Sequence, residues 1–415
     1  MFSKGQYTLY ITIADKSIFF ILFVYLARAV SVSDYGAVTA TFAFANILSS
    51  FFEFGLARYF QREAASRSGN IAEQLHSSMG FKISSFVLYG ALTFIYFKYV
   101  GNVTLLQIAI IASTIFIFGI SEMYSRLLYG LNEYVESFKA LIASKSIVFF
   151  LMCALIFAKA PYDLLLLSLL GGAILQTLLL VRYVKTKGIH FSISLNPSIL
   201  RQIMASSLPI GVGLSFVWIY DKIDVLLIQQ IIGREAVSFY SVAYSLYKIP
   251  QTIAGVMLLP FFTEISGRYT AEGSLGKDEL LTPALILVAF GGIMIIVYNC
   301  VPGLLLSLAY GNPYRASGWI LGALSFALPG LFLNNLTGAT LNAIKKERKS
   351  MNSAFFAFLL NISINILLMR WIGIAAAIIA TICTEYFILC VQLLYLRNSQ
   401  RIRWRKTELP TTVSG

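Results

Sequence analysis

Two clusters of ionisable residues sit inside stretches that are otherwise apolar: Asp15 with Lys16, and Asp221 with Lys222 and Asp224. Thr8 and Thr12 share the side of the first, and Trp218 precedes the second so that Trp218, Asp221 and Asp224 fall at i, i+3 and i+6, with Lys222 four residues beyond the indole. Tyr240, Tyr244, Lys248 and Thr252 step by four along another apolar run, and Lys145 lies between Ser144 and Ser146. Amines in such surroundings can neutralise an anion, whereas carboxylates can take up a proton or a small cation. Acidic candidates are Glu53, on a stripe with Asn46 and Ser49, Glu122 four residues before Arg126, and Glu385 four after Thr381.

These residues are costly where they stand. A charge at the centre of a bilayer-spanning helix costs about 2.5 to 3.5 kcal/mol, so it must pair or face a wet cavity. Glu122 beside Arg126 reads as an ion pair. The groups around Lys16 and Lys222 read as lining a hydrated chamber, with local charge neutralisation as the alternative, and Glu53 and Glu385 fit either role. Asn334, Asn335, Thr337, Thr340, Asn361 and Asn365 read first as packing glue between helices.

Composition says what must position them. The chain has 415 residues, 58% apolar and only 12% charged, with mean hydropathy +0.77, too little polar surface for a soluble protein of this length. Apolar windows long enough to cross a bilayer as helices fall near 8–30, 37–57, 81–100, 103–125, 140–159, 163–183, 204–232, 237–262, 282–308, 317–343, 351–370 and 373–396. They are too long and too uniformly apolar for the strands of a barrel. The expected fold is an all-α integral membrane protein of about twelve spans.

Alternate connections carry the cations. One set holds Lys4; Arg58, Arg62, Arg67 and Lys82; Arg126 and Lys139; Arg182, Lys185, Lys187 and Arg201; Arg268 and Lys277; Lys345, Lys346, Arg348 and Lys349; and Arg397 to Lys406. The other has single residues: Arg28, Lys98, Lys159, Arg234, Arg315 and Arg370. Cationic loops stay cytoplasmic, so both termini are placed inside and the number of spans is even. The net charge of +13 then reflects contact with anionic membrane lipids rather than nucleic acid. The tail around Trp404 is expected along that interface, and the first span serves as a retained insertion signal. Cys153, Cys300, Cys383 and Cys390, all inside apolar windows, read as buried small hydrophobes without metal spacing or a disulfide framework.

A weak internal repeat aligns the segment from Leu128, LYGLNEYVESFKALIASKSIVFFLM, with that from Leu341, LNAIKKERKSMNSAFFAFLLNISINILLM. It predicts an N-terminal lobe at 1–190, a C-terminal lobe at 191–400 and a basic tail at 401–415, with six helices per lobe and the polar linker near Asn196 and Pro197 between them. Prolines gather in the second half, at Pro209, Pro250, Pro260, Pro283, Pro302 and Pro329. They shape packing, and Pro209 and Pro250 are candidates for hinges. His76 and His190 fall in the cytoplasmic connections, and no catalytic or phosphate-loop motif is present, so the chain does not read as an enzyme.

The segments LARAVSVSDYGAV and FFEFGLARYFQREAA resemble the first two spans of polysaccharide exporters of the multidrug/oligosaccharidyl-lipid/polysaccharide (MOP) superfamily. The stretch SLPIGVGLSFVWIYDKIDVLLIQQIIGREAVSFYSVAYSLYKIPQTI is similar to the start of their second lobe through Pro209, Tyr220, Asp224, Gly233 and Tyr240. The nearest subgroup is that of the O-antigen flippases, commonly called Wzx. The resemblance implies two six-helix lobes around a central cavity and a substrate of undecaprenyl-diphosphate-linked oligosaccharide, moved across a bacterial inner membrane by alternating access. Each unpaired hydroxyl of such a substrate costs roughly 2 to 7 kcal/mol in lipid, which demands a polar groove. Lys16, Lys145, Lys222 and Lys248 would meet the diphosphate, Trp218 and Tyr244 the sugars. Asp15, Glu53, Asp221, Asp224 or Glu385 would line the cavity or carry a coupling proton or sodium ion, and the membrane potential would favour outward movement of negative charge. A polymerase and a chain-length regulator are the expected partners. Rival readings are a multidrug or cation antiporter of the same superfamily, a lipid II flippase, and a polymerase or assembly scaffold of the same pathway.

Overall fold

The computed structural model describes residues 4–66, 70–100, 103–272, 275–344, 346–399 and 402–403. In chain order its helices are α1 (Lys4–Ala29), α2 (Val32–Glu53), α3 (Leu56–Ser66), α4 (Ile71–Val100), α5 (Leu105–Gly130), α6 (Tyr134–Phe157), α7 (Tyr162–Thr186), α8 (Pro197–Ile231), α9 (Arg234–Glu272), α10 (Lys277–Cys300), α11 (Pro302–Tyr310), α12 (Gly318–Ser325), α13 (Leu328–Ala343), α14 (Glu347–Ile372) and α15 (Ala375–Arg397). A two-residue parallel ladder joins β1 (Leu275–Gly276) to β2 (Ile402–Arg403). The rest of the basic tail, with Trp404, lies outside the described residues.

Among the described residues nine helices are individually long and apolar enough to cross a membrane, ten when α12 and α13 with the preceding turn are counted as one span bent by 49°. The other two apolar windows are occupied by α1 and α9. Local chemistry starts several of them. Ser31 accepts the Asp34 amide at the head of α2, Thr104 and Gln107 form a reciprocal capping box at α5, and Asn196 caps α8 with Pro197 in its first turn. Pro329 sits in the first turn of α13, just after the bend, whereas α8 runs on through Pro209. At about 1.5 Å per residue, α8 and α9 are longer than a bilayer core is thick.

Three expectations change. The connection after span 2 is the helix α3, whose buried Leu56, Tyr59, Phe60 and Ala64 follow helical spacing while Arg58 and Arg62 stay exposed. Helix α4 begins at Ile71, so His76 and Lys82 belong to a helix and not to a loop. Cysteines 300, 383 and 390 are exposed and Cys153 is half-buried, because apolar windows in a membrane protein can be covered by lipid rather than by protein.

Packing divides the chain into two compact units. Unit 1 comprises Met1–Ser241 with Ser307–Tyr314, and unit 2 comprises Val242–Leu306 with Arg315–Gly415. In unit 1 helix α5 is the hub, packed against α2, α3, α4, α6 and α7, while α2 also lies along α8. A core of Leu56, Phe60, Met123, Leu127 and Leu180 joins α3, α5 and α7. Unit 2 is held by α15 against α13 and α14, and by α10 against α12 and α13.

Candidate functional site

In unit 1, α2 ends at Glu53 and the chain turns through Phe54 (φ 47°) and Gly55 (φ 72°) before α3 begins. This left-handed step sits backbone to backbone on α8. A Cβ placed on Gly211 would stand 2.5 Å from the Phe54 carbonyl carbon and 2.7 Å from the Gly55 nitrogen. Only glycine permits that approach. Glu53, half-buried, turns its carboxylate to α5, where a Cβ on Gly119 would lie 2.8 Å from Oε1.

Lys82 of α4 enters the same region. Its residue is 1% exposed, its ammonium lies 5.3 Å from the centre of the Phe116 ring, and Nζ has no hydrogen-bond partner among the described residues. Glu53 is its electrostatic counterpart. One turn further along α5, Arg126 Nε donates to Glu122 Oε1 at 2.5 Å, and the Arg126 guanidinium lies 5.3 Å from the Tyr129 ring. Arg58 of α3 feels both charges. Although Arg58 is exposed, partial loss of hydration against neighbouring atoms and, secondarily, repulsion from Arg126 lower its proton affinity, against the opposing attraction of Glu122.

Lys145 of α6 is caged. The residue is 4% exposed, and its ammonium is 4.2 Å from the Phe19 ring of α1 and 4.3 Å from the Phe118 ring of α5. On α8, Lys222 pairs with Asp221 at 2.9 Å, both half-buried, while Trp218 is 41% exposed. Asp224, buried, accepts a 2.8 Å hydrogen bond from Tyr240 of α9. Lys16 is exposed on α1, and the side chain of Asp15 lies outside the described residues.

Unit 2 holds the remaining candidates. Lys248 lies 5.2 Å from the Tyr244 ring and 6.0 Å from that of Tyr247. Glu385, buried on α15, is held by Asn334 of α13, whose Nδ2 donates to Oε2 at 2.7 Å and to the Glu385 carbonyl at 2.8 Å. Thr337, Gln392 and Ser353 extend the polar interior as a hydrogen-bonded chain. Asn361 and Asn365 bond to each other on α14.

The structure thus joins Asp221 to Lys222 and Lys248 to Tyr244, and gives Lys145 aromatic neighbours. The residues that sequence reasoning missed are Lys82, which the apolar window clipped at its edge, and Asn334 as the partner of a carboxylate rather than packing glue. The four-residue spacing of Ser78 and Lys82 on α4 was the available signal for the first.

The family model of the polysaccharide biosynthesis proteins matches residues 3–266. Among solved structures, the chain is similar to the lipid II flippase MurJ in an inward closed conformation, with TM-score 0.75 and 14% identity over 95% of this chain and 88% of that one. It is also similar to a multidrug resistance MATE family transporter of the MOP superfamily in an inward-facing conformation, with TM-score 0.70 and 14% identity over 96% and 95%. A MOP superfamily transporter from Pyrococcus furiosus is similar with TM-score 0.59 and 12% identity over 95% and 93%. No curated protein matches in sequence. With many apolar helices, this fold and the family match over residues 3–266, the chain is a multi-pass membrane protein that belongs to the polysaccharide biosynthesis protein family.

Proposed function

We propose that the chain is a flippase for undecaprenyl-diphosphate-linked oligosaccharide repeat units of O-antigen or a related polysaccharide, moving them from the cytoplasmic to the outer leaflet of a bacterial inner membrane. The family match over residues 3–266 on a MOP-type fold carries this reading. The halves 1–190 and 191–400 act as the lobes of an alternating-access cycle, and products pass to a polymerase and chain-length regulator.

The chemistry supports it. A diphosphate in lipid needs cations that the protein has drawn out of water, and Lys145 is buried and Lys222 half-buried in unit 1, Lys248 half-buried in unit 2. The exposed Trp218 and the half-buried Tyr244 offer flat apolar faces of the kind sugars stack on. Carrying about two negative charges out of a cell with a negative interior gains about 2.3 kcal/mol per charge per 100 mV. A carboxylate carrying a proton or sodium ion would add a second driving force.

The test uses proteoliposomes holding a fluorescent undecaprenyl-diphosphate-linked oligosaccharide, with an external quencher reporting leaflet exchange. The wild-type protein should equilibrate the label between leaflets, and Lys16→Ala, Lys222→Ala and Lys248→Ala should each slow it. No exchange by the wild type, together with export of organic cations, would move the protein to the antiporter class. Full exchange by all three variants would remove these lysines from diphosphate contact.

A further inference from the structure

The connection from α7 to α8 reads as polar in sequence, but the structure leaves its apolar side chains uncovered. Phe191 is 49% exposed, Ile193 55% and Leu195 59%, a large hydrophobe at every second residue with Ser192 and Ser194 between them. A contiguous apolar patch rimmed by polar residues marks a surface that meets a partner. Both ends of the segment are pinned: Ile189 before it and Ile199 after it pack against the core that joins α3, α5 and α7.

The middle is stitched to α4. His76 Nε2 donates to the His190 carbonyl at 2.6 Å, and the His76 carbonyl accepts from the Ser194 amide at 3.2 Å, so one residue holds the segment at two points. The hydroxyls of Ser77 and Ser194 meet at 3.4 Å. A Cβ on Gly80, one turn beyond His76, would overlap the Ser194 carbonyl oxygen, and the missing side chain lets the two backbones touch. Asn196 then caps α8. Bound to α4 through its polar groups, the segment presents Phe191, Ile193 and Leu195 to whatever lies outside.

Charge and place say what that is. Helices α7 and α8 are each long and apolar enough to cross a membrane, so the segment joining them emerges at a bilayer surface, on the side of the cation-rich connections. No acidic residue occurs between Asp163 and Asp221, while Arg182, Lys185 and Arg201 are exposed on either side of the segment. Lys187 is paired with Glu133. Hydrophobes flanked by cations and free of carboxylates match acyl chains overlaid by anionic phosphates. A soluble partner would have to reach them beside the membrane, whereas lipid is already there.

We propose that the α7–α8 connection is a membrane-bound strap: Phe191, Ile193 and Leu195 enter the interfacial layer of the anionic cytoplasmic leaflet, Arg182, Lys185 and Arg201 meet its phosphates, and the stitches to α4 hold the strap in place. Anionic phospholipid at this surface thereby fixes the point at which α8, the helix of Asp221, Lys222 and Asp224, begins.

The experiment is nitroxide accessibility on the full-length protein in lipid nanodiscs, with Cys153, Cys300, Cys383 and Cys390 replaced by Ala and one label introduced through Phe191→Cys, Ser192→Cys, Ile193→Cys or Leu195→Cys. In nanodiscs containing phosphatidylglycerol, the labels replacing Phe191, Ile193 and Leu195 should collide more with dissolved oxygen than with a water-soluble nickel chelate. The label replacing Ser192 should show the reverse, since alternate residues of an extended chain face opposite ways. Phosphatidylcholine nanodiscs should shift the three apolar positions towards nickel, because the cations lose their anionic partners. If the cysteine-free protein fails to fold, a benzophenone amino acid at Phe191 in the otherwise unchanged chain decides, and irradiation of native membranes should yield phospholipid adducts. Nickel-dominated collisions at all three apolar positions, equal immersion in the two lipids, or adducts with another protein in place of lipid would overturn the proposal. No oligosaccharide is involved, so its failure is distinct from failure of the flippase reading.

Discussion

Tyr240 donates its hydroxyl proton to Asp224 Oδ2 at 2.8 Å, closing the turn between α8 and α9 from the inside. The turn pivots at Gly233 (φ 129°), and both partners are buried. Asp224, Gly233 and Tyr240 are three of the positions that carry the resemblance to polysaccharide exporters, and the geometry gives them a shared purpose: a glycine that lets the chain reverse, and a carboxylate and a phenol that fix the angle of reversal.

Tyr240→Phe should destabilise the protein by about 1 to 3 kcal/mol, the cost of removing a donor from a buried acceptor. Asp224→Asn should cost less, since its amide oxygen still accepts from Tyr240. Thermal melting in detergent would show the order, and equal losses would mean that the phenol contributes through packing alone.

Gly211→Ala tests the seat of the α2–α3 turn. Its Cβ would stand 2.5 Å from the Phe54 backbone, which no rotamer change can relieve, so a loss of about 1 to 3 kcal/mol or more is expected. Gly171→Ala on α7 is the control: nothing lies within 4 Å of its added Cβ, and helix propensity predicts a gain of up to about 1 kcal/mol. Fluorescence-detected size-exclusion yields should fall for the first and hold for the second. Similar yields from both would show that the joint can open without cost.

The spans were legible because crossing a bilayer demands only length and apolarity, which composition records directly. The charged interior was legible as a list and not as a set of pairs. Asp221 and Lys222 are adjacent in sequence and were found together, but the partners of Lys145, at Phe19 and Phe118, come from two other helices, and no spacing along the chain encodes which helices touch. Lys82 escaped because hydropathy places a lysine at the edge of a window, whereas packing against Phe116 buries it. The short helix α3 escaped for the opposite reason: its apolar stripe is too narrow to raise the mean hydropathy.

The connection between α5 and α6 carries a pH-sensitive clasp. Lys187 donates to Glu133 Oε1 and Tyr183 to Oε2, the latter at 3.0 Å. The Lys187 hydrogen bond holds Glu133 below the ordinary carboxylate range, and Lys187 is raised in return. A depressed acid contributes stability above its unfolded value and loses it as pH falls through the folded one; a raised amine contributes below its unfolded value and loses it as pH rises through the folded one. The clasp therefore works from about pH 5 to about pH 10. Glu133→Gln should melt about 1 °C below the wild type at neutral pH, with the gap closing in acid as pH falls through the lowered folded value of Glu133. A gap that persists in acid would assign the effect to something other than charge.

Lys145→Met separates the two roles open to a caged amine. Methionine keeps the length and fits between Phe19 and Phe118, forming sulfur–aromatic contacts in place of the cation–π pair. The cation–π contribution at a desolvated site is about 2 kcal/mol, but removing a buried charge also removes a desolvation penalty of several kcal/mol. The two effects oppose each other, and Lys145→Met, which fills the same space, should fold. If the ammonium serves the diphosphate, leaflet exchange should nevertheless fall at least tenfold. Loss of melting temperature with exchange preserved would make Lys145 a structural bolt between α1, α5 and α6 and exclude it from the substrate path.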